Sequence, residues 1–386
     1  MQVSIITQHT VNNYGSVLQT YATQKIFEKM GHQVEFVDFW RADNLEQARV
    51  EQVLRNNRIM KQLKPFWSCT SLGTKITKEA IAKMLRKNQK NMNRFIKEKI
   101  SLSEIQYTSI EQLMSNPPIA DVYITGSDQV WNSECNNGIE RAYFLDYAPT
   151  GRKRISFAAS IGRTVLNEAE IPEMVDLLKK YDAISVREQS GVDLLAALGI
   201  QSQRILDPTL MFDGDWWSGQ ADYGKCPAGP YLLVYQLNVN PQMDAYAETL
   251  AKKKGWRMIR IGYHHSDKRK KGHCVFCPTI PEFLGLFNKA ACCLTDSFHA
   301  TAFSLNFGID FISIRPPRFE TRIESLLELT GIQNRLLSDY ADTSIANSTI
   351  SKEAVAKTLD TERLHAWKFL EDALFTVEPL SESMKL

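Results

Sequence analysis

The feature that most constrains the fold of this chain is a regular alternation of short apolar runs with segments of helical period. The first unit consists of a strand pattern at residues 1–7, a helical pattern at 16–30 and a second strand pattern at 33–39. Similar units recur up to about residue 329. Strands that alternate with helices bury their apolar faces best in parallel sheets covered by helices. The pattern therefore predicts an α/β fold with parallel sheets.

The length of 386 residues predicts two domains, because a single hydrophobic core stops growing well below that size. We predict a Rossmann-like domain at residues 1–222, with a helical insertion at about 45–115, and a second at 228–345. A stretch rich in Gly, Pro and polar residues at 218–230 predicts the linker. Residues 346–386 are predicted as a helical tail that packs back on the first domain. Two such domains should face a cleft, with ligands at the carboxyl ends of the strands.

Composition limits the classes of partner. The chain is 44% hydrophobic and 23% charged, with a net charge of +2, so nothing indicates a nucleic-acid partner. No apolar run reaches about 18 residues, and the first residues lack the features of a signal peptide. The seven irregularly spaced cysteines are typical of reduced thiols. We expect a cytoplasmic protein with at most peripheral membrane association.

A single histidine is the strongest candidate for chemistry. The apolar run at residues 290–294 predicts a strand, and Asp296 or Ser297 is placed to cap the helix that follows, which puts His299 at the helix N-terminus. Helix amides and the helix dipole favour an anion there and disfavour imidazolium, so His299 should tend to be neutral. A neutral imidazole beside an anion suits proton transfer near pH 7. The alternative is a histidine that only caps or packs against the helix end.

Two loops that follow predicted strands should reach the same cleft. The first opens the first helix and lacks the GxGxxG fingerprint of dinucleotide binding; it contains Asn13, Tyr14 and Gly15. The second is polar but carries a tryptophan, a combination that suits sugar stacking and hydroxyl recognition; it contains Ser127, Asp128, Gln129 and Trp131. The alternative is that both are ordinary turns, the second with a packed tryptophan.

Two arginines and two cysteines have further candidate roles. Arg163 and Arg187 lie near the ends of predicted strands, where a guanidinium suits carboxylate or phosphate recognition, although each could form only a surface ion pair.

Cys274 and Cys277 form a single CxxC near histidines of non-standard spacing, a weak zinc pattern that leaves metal binding open. We assign no metal site.

Six motifs, taken together in their order, resemble the polysaccharide pyruvyl transferase family. They are Asn13-Tyr14-Gly15-Ser16 with Leu18-Gln19, Gly126-Ser127-Asp128-Gln129-Val130-Trp131-Asn132, Ser156-Phe157-Ala158-Ala159-Ser160, Ser185-Val186-Arg187-Glu188, Asp207-Pro208-Thr209-Leu210 and Thr295-Asp296-Ser297-Phe298-His299. The resemblance implies a GT-B-like fold of two Rossmann-type domains. It also implies transfer of the enolpyruvyl carbon of phosphoenolpyruvate to two hydroxyls of one sugar, which yields a pyruvate ketal and phosphate.

The resemblance also implies roles for particular residues. His299 aligns with the family histidine implicated in acid–base catalysis, and Arg187 with an arginine that contacts the donor. Ser297 occupies a position where many members have an arginine that helps to hold phosphoenolpyruvate, and a substitute cation is expected among three arginines beyond the next strand. These candidates are Arg315, Arg318 and Arg322.

The implied co-substrate is phosphoenolpyruvate, with no other cofactor, and the implied acceptor is a sugar or a lipid-linked oligosaccharide of surface polysaccharide synthesis. Two other functions stay open at this point. One is a GT-B glycosyltransferase that uses a nucleotide-sugar. The other is a catalytically silent carbohydrate-binding protein, which the serine at position 297 favours and the retained His299 and Arg187 disfavour.

Overall fold

The computed structural model describes residues 1–56, 58–319 and 321–375 and contains two parallel β-sheets flanked by helices. The strands of the first sheet are β1 Gln2–Ile6, β2 Gln33–Phe39, β3 Leu102–Tyr107, β4 Val122–Thr125, β5 Lys153–Ala159, β6 Ala183–Val186 and β7 Gln203–Arg204. Those of the second are β8 Tyr231–Tyr235, β9 Arg257–Gly262, β10 His273–Phe276, β11 Cys292–Thr295 and β12 Asp310–Ser313.

The α-helices connect and cover these strands. They are α1 Tyr14–Lys29, α2 Glu46–Asn56, α3 Arg58–Gln62, α4 Lys64–Trp67, α5 Ser71–Lys99, α6 Ile110–Ser115, α7 Ser133–Asn136, α8 Ile171–Leu178, α9 Gln189–Ala197, α10 Gly214–Ser218, α11 Pro241–Lys254, α12 Ile280–Asn288, α13 Phe298–Asn306, α14 Thr321–Leu329 and α15 Lys352–Phe375. No helix within the described ranges is both long enough and apolar enough to cross a bilayer.

The order of the strands places two crevices on the functional edge. The strand order of the first sheet is β3-β2-β1-β4-β5-β6-β7, and that of the second is β10-β9-β8-β11-β12. Successive strands are therefore added in one direction up to β3 or β10 and in the opposite direction afterwards, and the reversal lies between β1 and β4 in the first sheet and between β8 and β11 in the second. In open parallel sheets, ligands bind beyond the carboxyl ends of the strands at such reversals. The loops after β1 and β4 therefore face those after β8 and β11.

The predicted α/β fold with two parallel sheets is confirmed, but two strands were missed. β3 lies within the segment predicted to be mostly helical, and β10 was not predicted. Both are edge strands. Residues Ser103 and Glu104 of β3 and His273 and Cys274 of β10 remain accessible to solvent. An edge strand needs less apolar sequence than a central one, which explains why hydrophobicity did not reveal them.

Apolar and aromatic contacts join the two halves of the chain. Tyr14, at the start of α1, stacks on Phe283 of α12 with ring centroids 4.5 Å apart, and its hydroxyl donates to the carbonyl of Pro278 at 2.7 Å. The last helix, α15, contacts the first half: the Arg363 side chain donates to the carbonyl of Leu210, in the segment after β7, at 2.8 Å. These contacts fix the two halves of the chain to one another, and the cleft lies between them.

Candidate active site

A polar cleft of about 890 Å³ lies between the carboxyl edges of the two sheets. From the first half, the loops after β1 and β4 and the start of α1 contribute Gln8, Asn13, Ser16, Asp128 and Gln129. From the second half come Leu237, Asn238, Asp296, Ser297, His299 and Arg322. The cleft therefore coincides with both strand-order reversals.

His299 lies at the N-terminus of α13, as predicted. Ser297 is the N-cap and its hydroxyl accepts a hydrogen bond from the amide of Ala300. The His299 ring is 5% exposed, and its Nε2 has no hydrogen-bond partner among the described residues. Gly15 lies against this ring, since a β-carbon added to Gly15 would be 2.1 Å from Nδ1 of His299. Only a glycine at this position lets α1 approach the imidazole so closely.

The electrostatic surroundings favour neutral His299. Burial lowers the pKa of His299 below its ordinary value, and the nearby carboxylates of Asp207 and Asp128 only partly oppose the shift. The direction agrees with the expectation from the helix N-terminus, but desolvation is its main cause. A neutral imidazole with a free Nε2 can accept a proton from a bound hydroxyl.

Arg187 is completely buried directly beneath the cleft. Its guanidinium donates to Oδ2 of Asp207 at 2.7 Å and to Oδ1 of Asp128 at 3.1 Å, and its Cζ lies 4.6 Å from the ring centroid of Phe298. The predicted contact with a donor therefore does not match its position, because its side chain is engaged by carboxylates and does not line the cleft. Arg187 instead fixes the two aspartates.

The Arg187 guanidinium keeps both carboxylates ionised. Burial alone raises the pKa of Asp128, but Arg187, His299 and Ser16 together lower it to about 2. Ser16 Oγ donates to Asp128 Oδ2 at 2.5 Å. The pKa of Asp207 is also lowered, since His299 and Arg187 outweigh its burial. Two anions thus lie next to His299 and are available to stabilise its protonated form.

Glu188 supports the same cluster from the side of β5. Its Oε1 accepts hydrogen bonds from the hydroxyl of Ser160 and the amides of Ile161 and Gly162, at 2.8–3.0 Å. Its other oxygen lies 3.9 Å from Nε of Arg187. The carboxylates around Arg187 follow β4, β6 and β7, and the groups that hold Glu188 follow β5, so the whole cluster depends on correct packing of the first sheet.

Arg322 is the second cation of the site. It lines the cleft from α14, its Nε is buried without a hydrogen-bond partner, and it forms no ion pair with any described residue. Burial and the neighbouring Arg187 lower its pKa to about 10, so it stays protonated at neutral pH. Arg322 is half-buried, and a half-buried cation without a carboxylate partner among the described residues is costly, so an anionic ligand would relieve that cost.

The other predicted arginines differ in position. Arg318 lines the cleft, but its side chain is 71% exposed and lies 3.8 Å from the carboxylate of Glu134. Arg315 is not among the cleft-lining residues; it pairs with Glu324 at 2.8 Å. Arg163 also lies outside the cleft lining and pairs with Glu134 at 3.2 Å, which matches the ion-pair alternative. Of the three arginines after β12, Arg322 is therefore the best placed to bind an anion in the cleft, and Arg318 is the second.

Three of the predicted loop residues lie in the core rather than in the cleft. Trp131 stacks on Phe144, and its indole N–H donates to the carbonyl of Tyr143, so it is not available to a sugar. Tyr14 is buried in the contact between the halves. Ser127 is buried and donates to Asp207 at 3.0 Å, which makes it part of the support beneath the cleft. Asn13, Asp128 and Gln129 do line the cleft.

The sequence did not reveal a polar wall contributed by the segment after β2 and by α2. Its members are Arg41, Asp43, Asn44, Glu51, Gln52 and Arg55. The position of residues 41–44 just beyond a predicted strand could have indicated it.

Asp296 was predicted only as a possible helix cap. Its carboxylate instead accepts from the amides of Leu237 and Asn238, which shapes the loop after β8.

The CxxC pair lies apart from this site. Cys274 and Cys277 are free, half-buried thiols near the end of β10. Within the described ranges, no group of three or more His, Cys, Asp or Glu side chains is arranged to hold a metal ion.

The fold and site define the class to which this protein belongs. The structure is similar to trehalose-6-phosphate synthase OtsA, with a TM-score of 0.52 and 10% identity over 98% of this chain and 100% of that one. It is also similar to MnaA of S. aureus in complex with UDP, with a TM-score of 0.50 and 12% identity over 95% of this chain and 90% of that one. A third similar structure is UDP-GlcNAc 2-epimerase of Neisseria meningitidis bound to UDP-GlcNAc, with a TM-score of 0.50 and 10% identity over 97% of this chain and 99% of that one. The chain thus has the GT-B fold.

Within that fold class, the sequence identifies the family. The family model described as polysaccharide pyruvyl transferase matches residues 13–316, and the chain belongs to this family of transferases. No curated protein sequence gives a significant match.

Proposed function

We propose that this protein transfers pyruvate from phosphoenolpyruvate to two hydroxyls of one sugar, forming a pyruvate ketal in surface polysaccharide synthesis. Membership of the family supports the reaction type. The observation that carries the proposal is that one cleft holds both His299, whose Nε2 has no hydrogen-bond partner among the described residues, and Arg322, which forms no ion pair with any of them. A proton-transfer group and an anion site are the two elements that this reaction requires.

The reaction balances without a cofactor. The methylene carbon of phosphoenolpyruvate gains a proton and becomes a methyl group, and two sugar hydroxyls each lose a proton as they bond to the central carbon. The bond from that carbon to the phosphate oxygen breaks, and phosphate leaves as hydrogen phosphate. One of the two hydroxyl protons balances the proton gained by the methylene carbon, and the other leaves with the phosphate. Positive charge develops at the central carbon before each hydroxyl attacks. The enzyme must therefore move protons, stabilise a cation and hold a leaving anion.

In this proposal His299 accepts the proton of an attacking hydroxyl and returns it within the same catalytic cycle. Asp207, 3.8 Å from Nε2, stabilises the imidazolium that forms. Arg322 and the first amides of α13 bind the phosphate or carboxylate of the donor. They take the place of the arginine that many family members have at the position of Ser297. The polar wall formed by residues 41–55 is left for the acceptor sugar.

Phosphate release tests the proposal directly. The enzyme is incubated with phosphoenolpyruvate and candidate glycan acceptors, and inorganic phosphate and the ketal product are measured. We expect phosphate release to depend on the acceptor. Phosphoenolpyruvate alone should also raise the melting temperature, because a ligand that binds only the native state stabilises it. Stabilisation by nucleotide-sugars but not by phosphoenolpyruvate would support a glycosyltransferase instead.

A pair of arginine variants tests the donor site. Arg322→Ala should raise the KM for phosphoenolpyruvate at least about tenfold, since a charge-assisted hydrogen bond is worth about 1.5–3 kcal/mol. The matched control Arg315→Ala removes an arginine paired with Glu324 outside the cleft lining, and it should leave that KM nearly unchanged. Equal effects of the two substitutions would exclude Arg322 as the donor cation.

A further inference from the structure

The charge of this chain is strongly segregated in its helical arm, which we define as α2 to α5, residues 46–99. Residues 61–99 contain eleven lysines and arginines against two glutamates, a net charge of +9 in a chain whose overall net charge is +2. The rest of the chain is therefore acidic, at −7. Such a separation produces a local positive potential that the overall charge conceals.

The positive charges form a continuous stripe on α5. Lys83, Lys87 and Lys90 follow one another at intervals of four and three residues, which places them on one helix face, and Arg94 and Lys97 continue the series. All five side chains are exposed. None of them forms an ion pair with a residue in the described ranges, in contrast to Lys78, which is paired with Glu51 at 2.8 Å.

The same face of α5 exposes apolar side chains at its N-terminal end. Leu72 and Ile76, one helical turn apart, are 65% and 60% exposed, and Leu63 just before α4 is 44% exposed. Lys61, Lys64 and Lys75 lie within three residues of them in sequence and are also exposed. Exposed leucine and isoleucine rimmed by lysine are typical of surfaces that lie in the boundary between lipid headgroups and acyl chains.

This surface adjoins the cleft. Glu51 of α2 lines the cleft and is the partner of Lys78 on α5, and Arg55, one turn further along α2, lines the cleft as well. The apolar end of the arm follows directly after α2 in the chain. A ligand in the cleft thus lies next to α2, the first helix of the arm.

We propose that the helical arm docks this protein on an anionic lipid bilayer, with Leu63, Leu72 and Ile76 entering the headgroup boundary and the lysine stripe of α5 bound to acidic headgroups. The charge complementarity favours an anionic surface, and the exposed apolar residues favour a bilayer over a nucleic acid, which offers no apolar phase. This inference goes beyond the proposed reaction and does not depend on the donor.

Vesicle flotation with the full-length protein tests the proposal without any measurement of turnover. We expect binding to vesicles of phosphatidylcholine with about 30% phosphatidylglycerol, little binding to phosphatidylcholine alone, and loss of binding at about 0.5 M NaCl, where charges are screened within a few ångströms. The triple variant Lys83→Gln/Lys87→Gln/Lys90→Gln should weaken binding at least about tenfold, because each juxtamembrane cation contributes about a factor of five.

Matched controls separate the arm from charge and hydrophobicity in general. Lys252→Gln/Lys357→Gln/Lys368→Gln removes the same charge from exposed positions elsewhere and should bind vesicles like the unmodified protein. Leu72→Ser/Ile76→Ser should weaken binding, whereas Val165→Ser/Leu364→Ser, at positions 68% and 72% exposed, should not. Equal behaviour of arm and control variants would overturn the proposal. So would tight binding of a labelled DNA or RNA duplex that is lost in the stripe variant while vesicle binding is unchanged.

Discussion

Nε2 of His299 lies 3.8 Å from Oδ2 of Asp207, although the two residues are 92 positions apart and follow strands of different sheets. Asp207 follows β7 in the first half and is fixed by Arg187 and by the hydroxyl and amide of Thr209. His299 is the second residue of α13 in the second half. The proposed proton-transfer pair therefore exists only when the two halves are docked together.

The first prediction concerns His299 itself. His299→Gln keeps a polar side chain of similar reach but cannot take up a proton, so turnover should fall by roughly 10² or more, the usual contribution of a general acid–base group. The measurement is acceptor-dependent phosphate release at saturating donor. His365→Gln, on an exposed position of α15, is the control and should be fully active. Nearly normal turnover by His299→Gln would remove the proposed role.

The second prediction is a pH dependence. The base is active when neutral, and burial lowers the pKa of His299 from its ordinary value of 6.5, so the acidic limb of the kcat/KM profile should be centred below pH 6.5. Because the Asp207 carboxylate raises the pKa of His299, Asp207→Asn should move the acidic limb to still lower pH. Profiles of kcat/KM between pH 4.5 and 8 measure both effects. An acidic limb centred above pH 6.5 would contradict the assignment.

The third prediction distinguishes a positioning role of Arg187 from direct donor binding. Arg187→Met removes the guanidinium that pairs with the buried carboxylates of both Asp128 and Asp207, so the free energy of unfolding should fall by about 3–5 kcal/mol. Arg187→Lys keeps the charge but cannot bridge both carboxylates, so it should reduce kcat more than it raises the donor KM. Urea unfolding and steady-state kinetics measure the two effects.

A surface arginine provides the comparison for that experiment. Arg163→Met breaks a partly exposed pair with Glu134 and should change the unfolding free energy by no more than about 1 kcal/mol. If Arg187→Lys instead raised the donor KM with kcat unchanged, Arg187 would contact the donor, contrary to its buried position.

The fourth prediction concerns the close approach of α1 to His299. A β-carbon at Gly15 would lie 2.1 Å from Nδ1 and 2.7 Å from Cβ of His299, so Gly15→Ala must displace the ring. A displacement of about 1 Å at a reacting group can cost about 10² in rate, and kcat should fall by at least tenfold. The control is Gly219→Ala, whose β-carbon meets nothing nearer than 3.4 Å. An active Gly15→Ala variant would show that the ring has room to move.

The sequence alone determined the features that depend on local pattern. Alternating apolar and helical periods predicted an α/β chain with parallel sheets, and the serine that caps α13 placed His299 at a helix N-terminus. Local pattern suffices here because strand burial and helix capping involve residues that are near one another in sequence. The edge strands β3 and β10 escaped prediction because an edge strand satisfies the sheet with little apolar sequence.

Only the tertiary structure decided which polar side chains reach the cleft. Trp131 and Arg187 follow strands as cleft residues do, yet packing of the first sheet buries both beneath the surface. Among the arginines after β12, Arg322 lines the cleft, whereas Arg315 forms an ion pair with Glu324. The direction of a side chain depends on contacts between residues distant in sequence. The docking of two separately wound sheets, which no local pattern encodes, brings Asp207 and Gly15 against His299.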